Sequence, residues 1–186
     1  MELRRNKLYT IEDWMSWDED IRAEIIDGGL YMLAQPTEKH QRILTELVRQ
    51  LANFLKGKPC NVYPAPFGVR LSKNENTGLE PDIVVICDKS KLENGRVYNG
   101  APEMVVEILS PSTARTDRLI KYHKYMKAGV QEYWIIDPDL NIAEVNILQN
   151  GVYAGTRYGD EGEAPVDVLS LGNEKCIINL TDLFAE

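Results

Sequence analysis

Cysteine and histidine are scarce in this chain of 186 residues, which contains three cysteines and two histidines. Cys60, Cys87 and Cys176 lie far apart and form neither a CxxC pair nor a Cys/His cluster. This spacing argues against a structural zinc site, and the odd number argues against a disulfide framework. We therefore expect three buried thiols in a reducing compartment.

Long apolar runs are also missing. No segment approaches the roughly 20 residues that a transmembrane helix needs, and the first residues, MELRRNKLYTIEDW, lack the apolar stretch of a signal peptide. The GxSxG, P-loop, GxGxxG and HExxH motifs are absent, so nothing supports a serine hydrolase, an NTPase, a dinucleotide-binding enzyme or a zincin. The expectation is a cytoplasmic protein with no membrane partner.

The chain as a whole lacks the basic surplus that nucleic-acid binding surfaces need. It has 21 Lys and Arg against 29 Asp and Glu, a net charge of −8. The charge is uneven, however, because residues 159–186 contain seven acids and one lysine, whereas residues 113–128 contain five basic residues and one acid. The total charge therefore does not exclude nucleic acid, but it disfavours a broad and tightly binding basic surface.

The composition is otherwise that of a globular protein, and the length favours a single domain over residues 1–186. Thr10 with Asp13 predicts a short capped helix, and residues 22–34 predict two strands around the Gly28 and Gly29 pair. Residues 37–56 carry apolar side chains at helical spacing, which predicts an amphipathic helix.

The rest of the chain alternates between apolar segments and turn signals. We first expect a strand pair ending near Leu71, and then a strand after Asp82 and a strand around Glu107, separated by a polar segment. A helix over 113–128 and a strand over 132–137 follow. The chain then continues with a hairpin around Asn150 and Gly151, an acidic loop over 159–165, a last strand over 176–179 and a short helix. The order helix, three strands, helix, strand between residues 37 and 138 predicts an α/β (α+β) fold with a mixed central sheet, an N-terminal hairpin and a C-terminal β extension.

Two acids belong to apolar strand segments, where an uncompensated carboxylate is costly. Asp82 opens the segment IVVIC, and Glu107 interrupts MVVEIL. Mg²⁺ binds one or two carboxylates, keeps several waters and takes further oxygens from phosphates, so two acids on adjacent strands suit metal-dependent cleavage of a phosphodiester. Side-chain alternation places Val105, Glu107 and Leu109 on one face, and the backbone carbonyl of Ile108 is a candidate third ligand. A turn-capping role for Asp82 stays open.

Several motifs together resemble the Uma-two (Uma2) family of the PD-(D/E)XK nuclease superfamily. They are EIIDG at 24–28, His40, PDIVVI at 81–86, GAPEMVVEILSPST at 100–113, DRLIKYHKY at 117–125 and GVQEYWIIDP at 129–138. The resemblance covers nearly the whole chain and implies a restriction-endonuclease-like αβββαβ core at about 37–138. It further implies cleavage of DNA with Mg²⁺, or Mn²⁺ as a substitute, by Asp82 and Glu107, with Glu24 and His40 close to them. A duplex has two strands, so a homodimer is expected.

One position departs from the superfamily pattern, which places a lysine two residues after the second acid. Leu109 stands there. The resemblance implies that the lysine has moved to the following helix, where Asp117, Lys121 and Tyr125 recur at four-residue steps on one face. Lys121 is the candidate for orienting the attacking water, with Lys124 as the alternative and Asp117 as a further site residue.

Simpler interpretations remain for these residues and for the whole chain. The basic helix residues can form a solvated face, and Asp117 can merely pair with Lys121. A lone histidine in a first helical turn, as at position 40, more often caps or packs than binds a ligand. The alternative functions are a catalytically silent nuclease-fold module that binds nucleic acid or protein, and a small-molecule phosphodiesterase.

Overall fold

The computed structural model covers residues 7–18, 21–171 and 174–185. Its helices are α1 (Ile11–Met15), α2 (Glu38–Leu55), α3 (Tyr122–Ala128) and α4 (Leu180–Phe184), and a π-helical segment (Thr116–Lys121) leads into α3. Its strands are β1 (Ala23–Ile26), β2 (Gly29–Met32), β3 (Asn61–Pro64), β4 (Gly68–Arg70), β5 (Ile83–Ile86), β6 (Leu92–Glu93), β7 (Val97–Asn99), β8 (Met104–Ile108), β9 (Glu132–Asp137), β10 (Ile142–Gln149), β11 (Val152–Tyr158), β12 (Glu163–Leu171) and β13 (Glu174–Asn179).

A six-stranded sheet in the order β11-β10-β9-β8-β5-β3 organises the fold. Strands β8 and β9 are parallel, and the other neighbours are antiparallel. The crossover from β8 to β9 runs through the π-helical segment and α3, as a parallel connection requires. With α2 ahead of β3, this is the αβββαβ core with a mixed sheet that the sequence predicts. No helix in the described part of the chain is both long and apolar enough to cross a membrane.

Helix α2 covers one face of the sheet. The hydroxyl of Thr37 accepts a hydrogen bond from the backbone N–H of His40 (3.2 Å) and caps the helix. Its buried stripe packs against strand residues that include Val106 and Ile108. The stripe consists of Ile43, Leu47, Leu51 and Leu55. Each fully buried aliphatic side chain contributes about 1.5–3 kcal/mol relative to an exposed one.

The opposite face of β8 packs against α3, as the alternation predicts. Val105 and Leu109 join a second core cluster with Tyr125 of α3 and Tyr133 of β9. Glu107 lies on this same face. The strand therefore points a carboxylate towards α3 and apolar side chains towards α2.

The structure differs from the predicted elements at three places. The expected strand pair before Leu71 is not a pair, because β3 joins the central sheet while β4 belongs to a three-stranded sheet with β7 and β6. Strands β6 and β7 lie within the segment expected to be a polar loop. Strand β12 begins inside the predicted acidic loop, and a register shift between Val166 and Leu171 interrupts the alternation that would have revealed it.

The turn of the N-terminal hairpin is one residue earlier than expected. Asp27 and Gly28, rather than Gly28 and Gly29, have positive φ values of 51° and 81°. Two consecutive residues with positive φ form a tight turn that matches the twist of a hairpin. The strands themselves are those predicted.

The cysteine prediction is wrong for two of the three residues, because Cys60 and Cys87 form a disulfide. Cys60 precedes β3 and Cys87 follows β5, and the adjacent residues Asn61 and Ile86 are cross-strand partners. The antiparallel ladder thus brings two cysteines 27 positions apart to a Cα–Cα distance of 3.9 Å. Cys176 is free and buried, as expected. The cysteines therefore do not support a reducing compartment.

Strand β9 begins with a buried carboxylate on the α2 face. Oε1 of Glu132 accepts a hydrogen bond from the indole N–H of Trp134 (2.6 Å), and Oε2 accepts one from the backbone N–H of Val168 in β12 (2.9 Å). Burial nevertheless raises the pKa of Glu132 to about 7. The protonation state of the Glu132 side chain should therefore affect how the C-terminal hairpin, β12 and β13, packs against β9.

Substitution of Glu132 by Gln is expected to weaken the pH dependence of stability. A carboxyl whose folded pKa is near 7 and whose unfolded pKa is 4.5 contributes stability that is complete below pH 4.5 and lost as the pH rises through 7. The difference between these two pKa values corresponds to about 3 kcal/mol in the free energy of unfolding. Urea unfolding of Glu132→Gln between pH 5 and 8 should show a correspondingly smaller decline than the wild type. The exposed control Glu161→Gln should keep the wild-type decline, and an unchanged decline in Glu132→Gln would contradict the assignment.

Candidate active site

A cleft of about 440 Å³ opens where β5 begins and β8 ends. Because β5 and β8 are antiparallel and Ile83 pairs with Val106, the residue before β5 lies across from the last residues of β8. Asp82 and Glu107 consequently line the same cleft. The first turn of α2 and residues 110–113 form further walls.

Asp82 stands directly before β5, with its carboxylate held by two donors. The backbone N–H of Ile108 donates to Oδ2 (2.7 Å), and Nε2 of His40 lies 3.2 Å from the same oxygen. The structure thus brings His40 to Asp82. His40 is also one of the buried residues of α2, in its first turn. The Ile108 contact shown here is through its N–H, and a ligand role for its carbonyl stays a prediction.

Glu107 belongs to a buried cluster of charges around one lysine. Nζ of Lys121 lies 3.0 Å from Oε1 of Glu107, 2.9 Å from Oε1 of Glu24 and 3.4 Å from Oδ1 of Asp117. The hydroxyl of Tyr125 also donates to Oε1 of Glu107 (2.7 Å). Lys121 and all three acids are at most 4% exposed. The expected ion pair between Asp117 and Lys121 is present, and Lys121 forms two further ion pairs, with Glu24 and Glu107.

The charges in this cluster shift one another's protonation. Burial raises the pKa of Glu107 well above its usual range, although Lys121 opposes the shift. Burial also raises the pKa of Asp117. Burial alone would lower the pKa of Lys121, but the carboxylates of Glu107, Glu24 and Asp117 outweigh it and raise that pKa well above its usual range. Lys121 is therefore an ammonium group and cannot accept a proton.

The segment that carries Lys121 has an unusual backbone. Residues Thr116–Lys121 are π-helical, a conformation that is rare and often found at functional sites. Asp117 and Lys121 are the two buried residues of the segment. The π-helical conformation thus occurs in the segment that carries Asp117 and Lys121, and Lys121 forms ion pairs with Glu107 and Glu24.

Lys124, the alternative to Lys121, points elsewhere. Its Nζ binds Asp27 and Glu75, and it does not line the cleft with Asp82 and Glu107. Arg118 of the preceding π-helical segment is bound to Asp137 (3.1 Å). The basic face predicted from the sequence is therefore largely neutralised by acids of neighbouring elements, rather than left free for phosphate.

Sequence reasoning missed four charged residues in the cleft wall, which are Arg22, Lys39, Glu80 and Asp139. Arg22 pairs with Glu80 (3.4 Å), Lys39 belongs to α2, and Asp139 follows β9. The backbone N–H of Glu80 donates to Oε1 of Glu24 (2.8 Å), and burial raises the pKa of Glu80 against the effect of Arg22. The only sequence signal was Glu80 itself, two residues before Asp82, since Arg22 is 58 positions from its partner.

The donor set of the cleft fits a magnesium ion. Among residues 7–18, 21–171 and 174–185, no three His, Cys, Asp or Glu side chains are grouped to hold an ion by themselves. Mg²⁺ requires only one or two carboxylates, because water and substrate phosphates complete its six ligands. Within the described ranges, Oδ1 of Asp82 and Oε2 of Glu107 accept no protein hydrogen bond. These two oxygens are available to a cation.

Comparisons with known proteins agree with this fold. The Uma2 family model, described as "Putative restriction endonuclease", matches residues 10–178. The uncharacterized protein slr1290 of Synechocystis sp. is 28% identical over 128 residues, which are 67% of this chain and 66%, just under two thirds, of that protein. The crystal structure of "a putative nuclease belonging to DUF820" from Anabaena variabilis has a TM-score of 0.77 at 21% identity, covering 95% of this chain and 98% of that one. The predicted fold class is confirmed.

Proposed function

Because this chain belongs to the Uma2 family, we propose that it is a metal-dependent nuclease that hydrolyses phosphodiester bonds of DNA. In this proposal Asp82 and Glu107 hold Mg²⁺, for which Mn²⁺ can substitute, and Lys121 positions the attacking water. The observation that carries the proposal is that Glu107 of β8 and Asp82, directly before the neighbouring strand β5, line one cleft, with the Lys121 ammonium 3.0 Å from Glu107.

A bound Mg²⁺ would polarise the phosphoryl group and lower the pKa of a water ligand. The chain supplies the remaining functions. The Ile108 N–H and His40 orient the carboxylate of Asp82. Glu24 and Asp117 hold Lys121 as an ammonium, so that it can donate to the attacking water or to a phosphoryl oxygen but cannot act as the base.

In this proposal Lys121 takes the place of the lysine that the superfamily pattern has at the position of Leu109. Leu109 belongs to the same face of β8 and packs in the cluster that contains Tyr125. The ammonium of Lys121 reaches Glu107 from the helix instead, 14 positions further along the chain. A lysine therefore adjoins the second acid even though the strand does not provide it.

The direct test is cleavage by the purified wild-type protein. Supercoiled plasmid, linear duplex, single-stranded DNA and RNA would be incubated with Mg²⁺, with Mn²⁺ or with EDTA. We expect cleavage of DNA with either ion and none with EDTA. Cleavage that survives EDTA, or no cleavage of any polymer with either ion, would refute the proposal. Hydrolysis of a nucleotide diester without cleavage of polymers would instead indicate a small-molecule phosphodiesterase.

One observation favours the alternative of a catalytically silent module. The ammonium of Lys121 already faces three carboxylates, and Arg118 and Lys124 of the basic helix are paired with acids. A silent module need not bind Mg²⁺, so titration calorimetry with MgCl₂ separates the two functions. Heat of binding that Asp82→Asn removes favours the nuclease.

The homodimer expected from duplex cleavage remains part of the proposal. The only support for a homodimer is that a DNA duplex has two strands to cut. Light scattering coupled to size-exclusion chromatography should give twice the mass of the 21.1 kDa chain. A monomer would restrict the proposal to cleavage of one strand per encounter.

A further inference from the structure

Strand β11 forms one edge of the central sheet, and every second residue of it directs its backbone polar groups away from the sheet. Its hairpin with β10 turns at Asn150 and Gly151, which both have positive φ values (52° and 82°), so Gln149 and Val152 form the hydrogen-bonded pair that closes the turn. Hydrogen-bonded and open pairs alternate along an antiparallel ladder. The residues whose N–H and C=O groups point outward are therefore Tyr153, Gly155 and Arg157.

The other side of β10 follows the same alternation. The N–H of Leu148 donates to the carbonyl of Gln131, on the β9 side of the strand (2.8 Å). Leu148 pairs with Tyr153 across the hairpin, so this pair is open and the backbone groups of Tyr153 are directed outward. Within residues 7–18, 21–171 and 174–185, no backbone hydrogen bond joins β11 to an element other than β10.

This edge has none of the features with which proteins usually block further strand pairing, such as a short strand, a bulge, a proline or free charges. Strand β11 has seven residues in regular register with β10 and contains no proline, lysine or acid. Its one charged side chain, Arg157, donates from Nε to Glu144 of β10 (2.9 Å). The opposite edge strand, β3, has only four residues and ends with Pro64. The sheet is thus open to pairing at β11.

The outward groups of β11 are complementary to those of a second copy of the strand. In an antiparallel pair, Gly155 can lie opposite Gly155 of the partner subunit, and Tyr153 then lies opposite Arg157 of the partner subunit. Every outward N–H and C=O group of the three residues finds a partner in this register, whereas a shift along the strand would leave some of them unpaired. Because Arg157 faces a tyrosine, no two like charges are opposed.

The remaining residues of β11 share the face of the sheet that α2 covers, where Tyr158 packs against the core. In the same register, Val152 lies opposite Tyr158 of the partner subunit, and Ala154 lies opposite Thr156 of the partner subunit. Val152 is 59% exposed, and Ala154 and Thr156 are exposed as well. Pairing would therefore bring exposed apolar and β-branched side chains into contact across the two strands.

We propose that a second copy of this chain pairs with β11, antiparallel and centred on Gly155, so that the central sheet continues from one copy into the other. Strand β11 runs in the direction of β8, because β8 and β9 are parallel and each of the next two neighbours is antiparallel. The clefts of the two copies consequently open at opposite ends of the extended sheet. This dimer does not require that the cleft bind a metal ion or cleave DNA.

The first test compares two double variants with the wild type. Ala154→Glu with Thr156→Glu places like charges opposite each other in both open pairs beside the centre, whereas Ala154→Glu with Thr156→Lys places opposite charges there. Sedimentation equilibrium should show a wild-type dimer of the 21.1 kDa chain. The like-charge variant should raise its dissociation constant at least about tenfold, and the opposite-charge variant should not.

Two results would overturn the inference. They are a wild type that stays monomeric, and a like-charge variant that dimerises as tightly as the wild type. The second result would leave a dimer through another surface, as duplex cleavage requires, and neither result bears on the metal site. Circular dichroism of each variant checks that its monomer is folded.

A second measurement tests the register and does not depend on charge. Cysteines introduced together by Ala154→Cys and Thr156→Cys face each other across the two copies, at a distance that a disulfide can span. The native cysteines do not interfere, because Cys60 and Cys87 are already joined and Cys176 is buried. Mild oxidation should give a covalent dimer on a non-reducing gel. Val152→Cys with Ala154→Cys should give none, and a double variant at 154 and 156 that remains unlinked would overturn the proposed pairing.

Discussion

Replacement of Glu107 by Gln should produce a protein that does not cleave DNA and yet is more stable than the wild type. Gln retains the shape and keeps an oxygen for the hydroxyl of Tyr125 and the ammonium of Lys121, but it removes the charge that a cation needs. We expect cleavage to fall at least about 100-fold, as for loss of a group that holds or supports a catalytic metal. Cleavage rates and urea unfolding of the same preparations measure both effects.

The gain in stability follows from the pKa of Glu107, which burial raises well above its usual range. Without a metal ion, the folded state therefore holds on Glu107 a proton that the unfolded state releases, and the stability from that proton is lost as the pH rises. Binding of a metal ion by Glu107 would release the same proton. Gln does not titrate, so the advantage of Glu107→Gln should increase with pH. Such a trade of stability against activity is common at functional sites.

The matched control is Glu103→Gln. Glu103 lies just before β8, and its Oε2 accepts the N–H of Cys87 (2.8 Å) outside the cleft. This variant should cleave at the wild-type rate. Cleavage by Glu107→Gln at more than a tenth of the wild-type rate would show that Glu107 is not a metal ligand.

Replacement of Lys121 by Met should lower both stability and activity. Met has a similar length but leaves Glu24, Glu107 and Asp117 buried without their shared cation. Removal of one partner from a buried ion pair costs about 3–5 kcal/mol. The loss should be largest at high pH and should diminish as the pH falls, because the three acids can then become protonated. Urea unfolding at several pH values measures it, and DNA cleavage should fall in parallel.

Lys124→Met, three residues further along in α3, provides the comparison. Lys124 bridges Asp27 and Glu75 nearer the surface, so its loss should cost only about 1 kcal/mol and leave cleavage unchanged. Lys121→Arg, which keeps a cation in the cluster, should recover part of the stability. If Lys121→Met were as stable as the wild type, the buried cluster would not depend on its lysine.

Local signals in the sequence predicted most of the fold. The apolar stripe of α2, the alternation of β8 and the turn at Asn150 and Gly151 each depend on residues within a few positions of one another. Strand β12 was missed because its bulge breaks the alternation. The Cys60 and Cys87 pair was missed because only the strand register brings the two residues together.

The site was predictable to the extent that the family motifs specify it. Asp82, Glu107 and Lys121 were expected, but the contact between Lys121 and Glu24 joins residues 97 positions apart and depends on how β1 docks. The same applies to Lys124, whose partners lie in separate loops. The hydroxyl of Tyr125 carried no signal beyond its helical spacing, because the sequence does not show which partner a buried tyrosine hydroxyl will find.

The most direct measurement of the central claim is the anomalous scattering of Mn²⁺ in crystals of the wild-type protein. We expect one peak in the cleft, bound by carboxylate oxygens of Asp82 and Glu107, with Nζ of Lys121 still in contact with Glu107. Crystals of Asp82→Asn should lose the peak. No peak in the cleft, or an ion held there by other residues, would show that Asp82 and Glu107 are not the metal ligands.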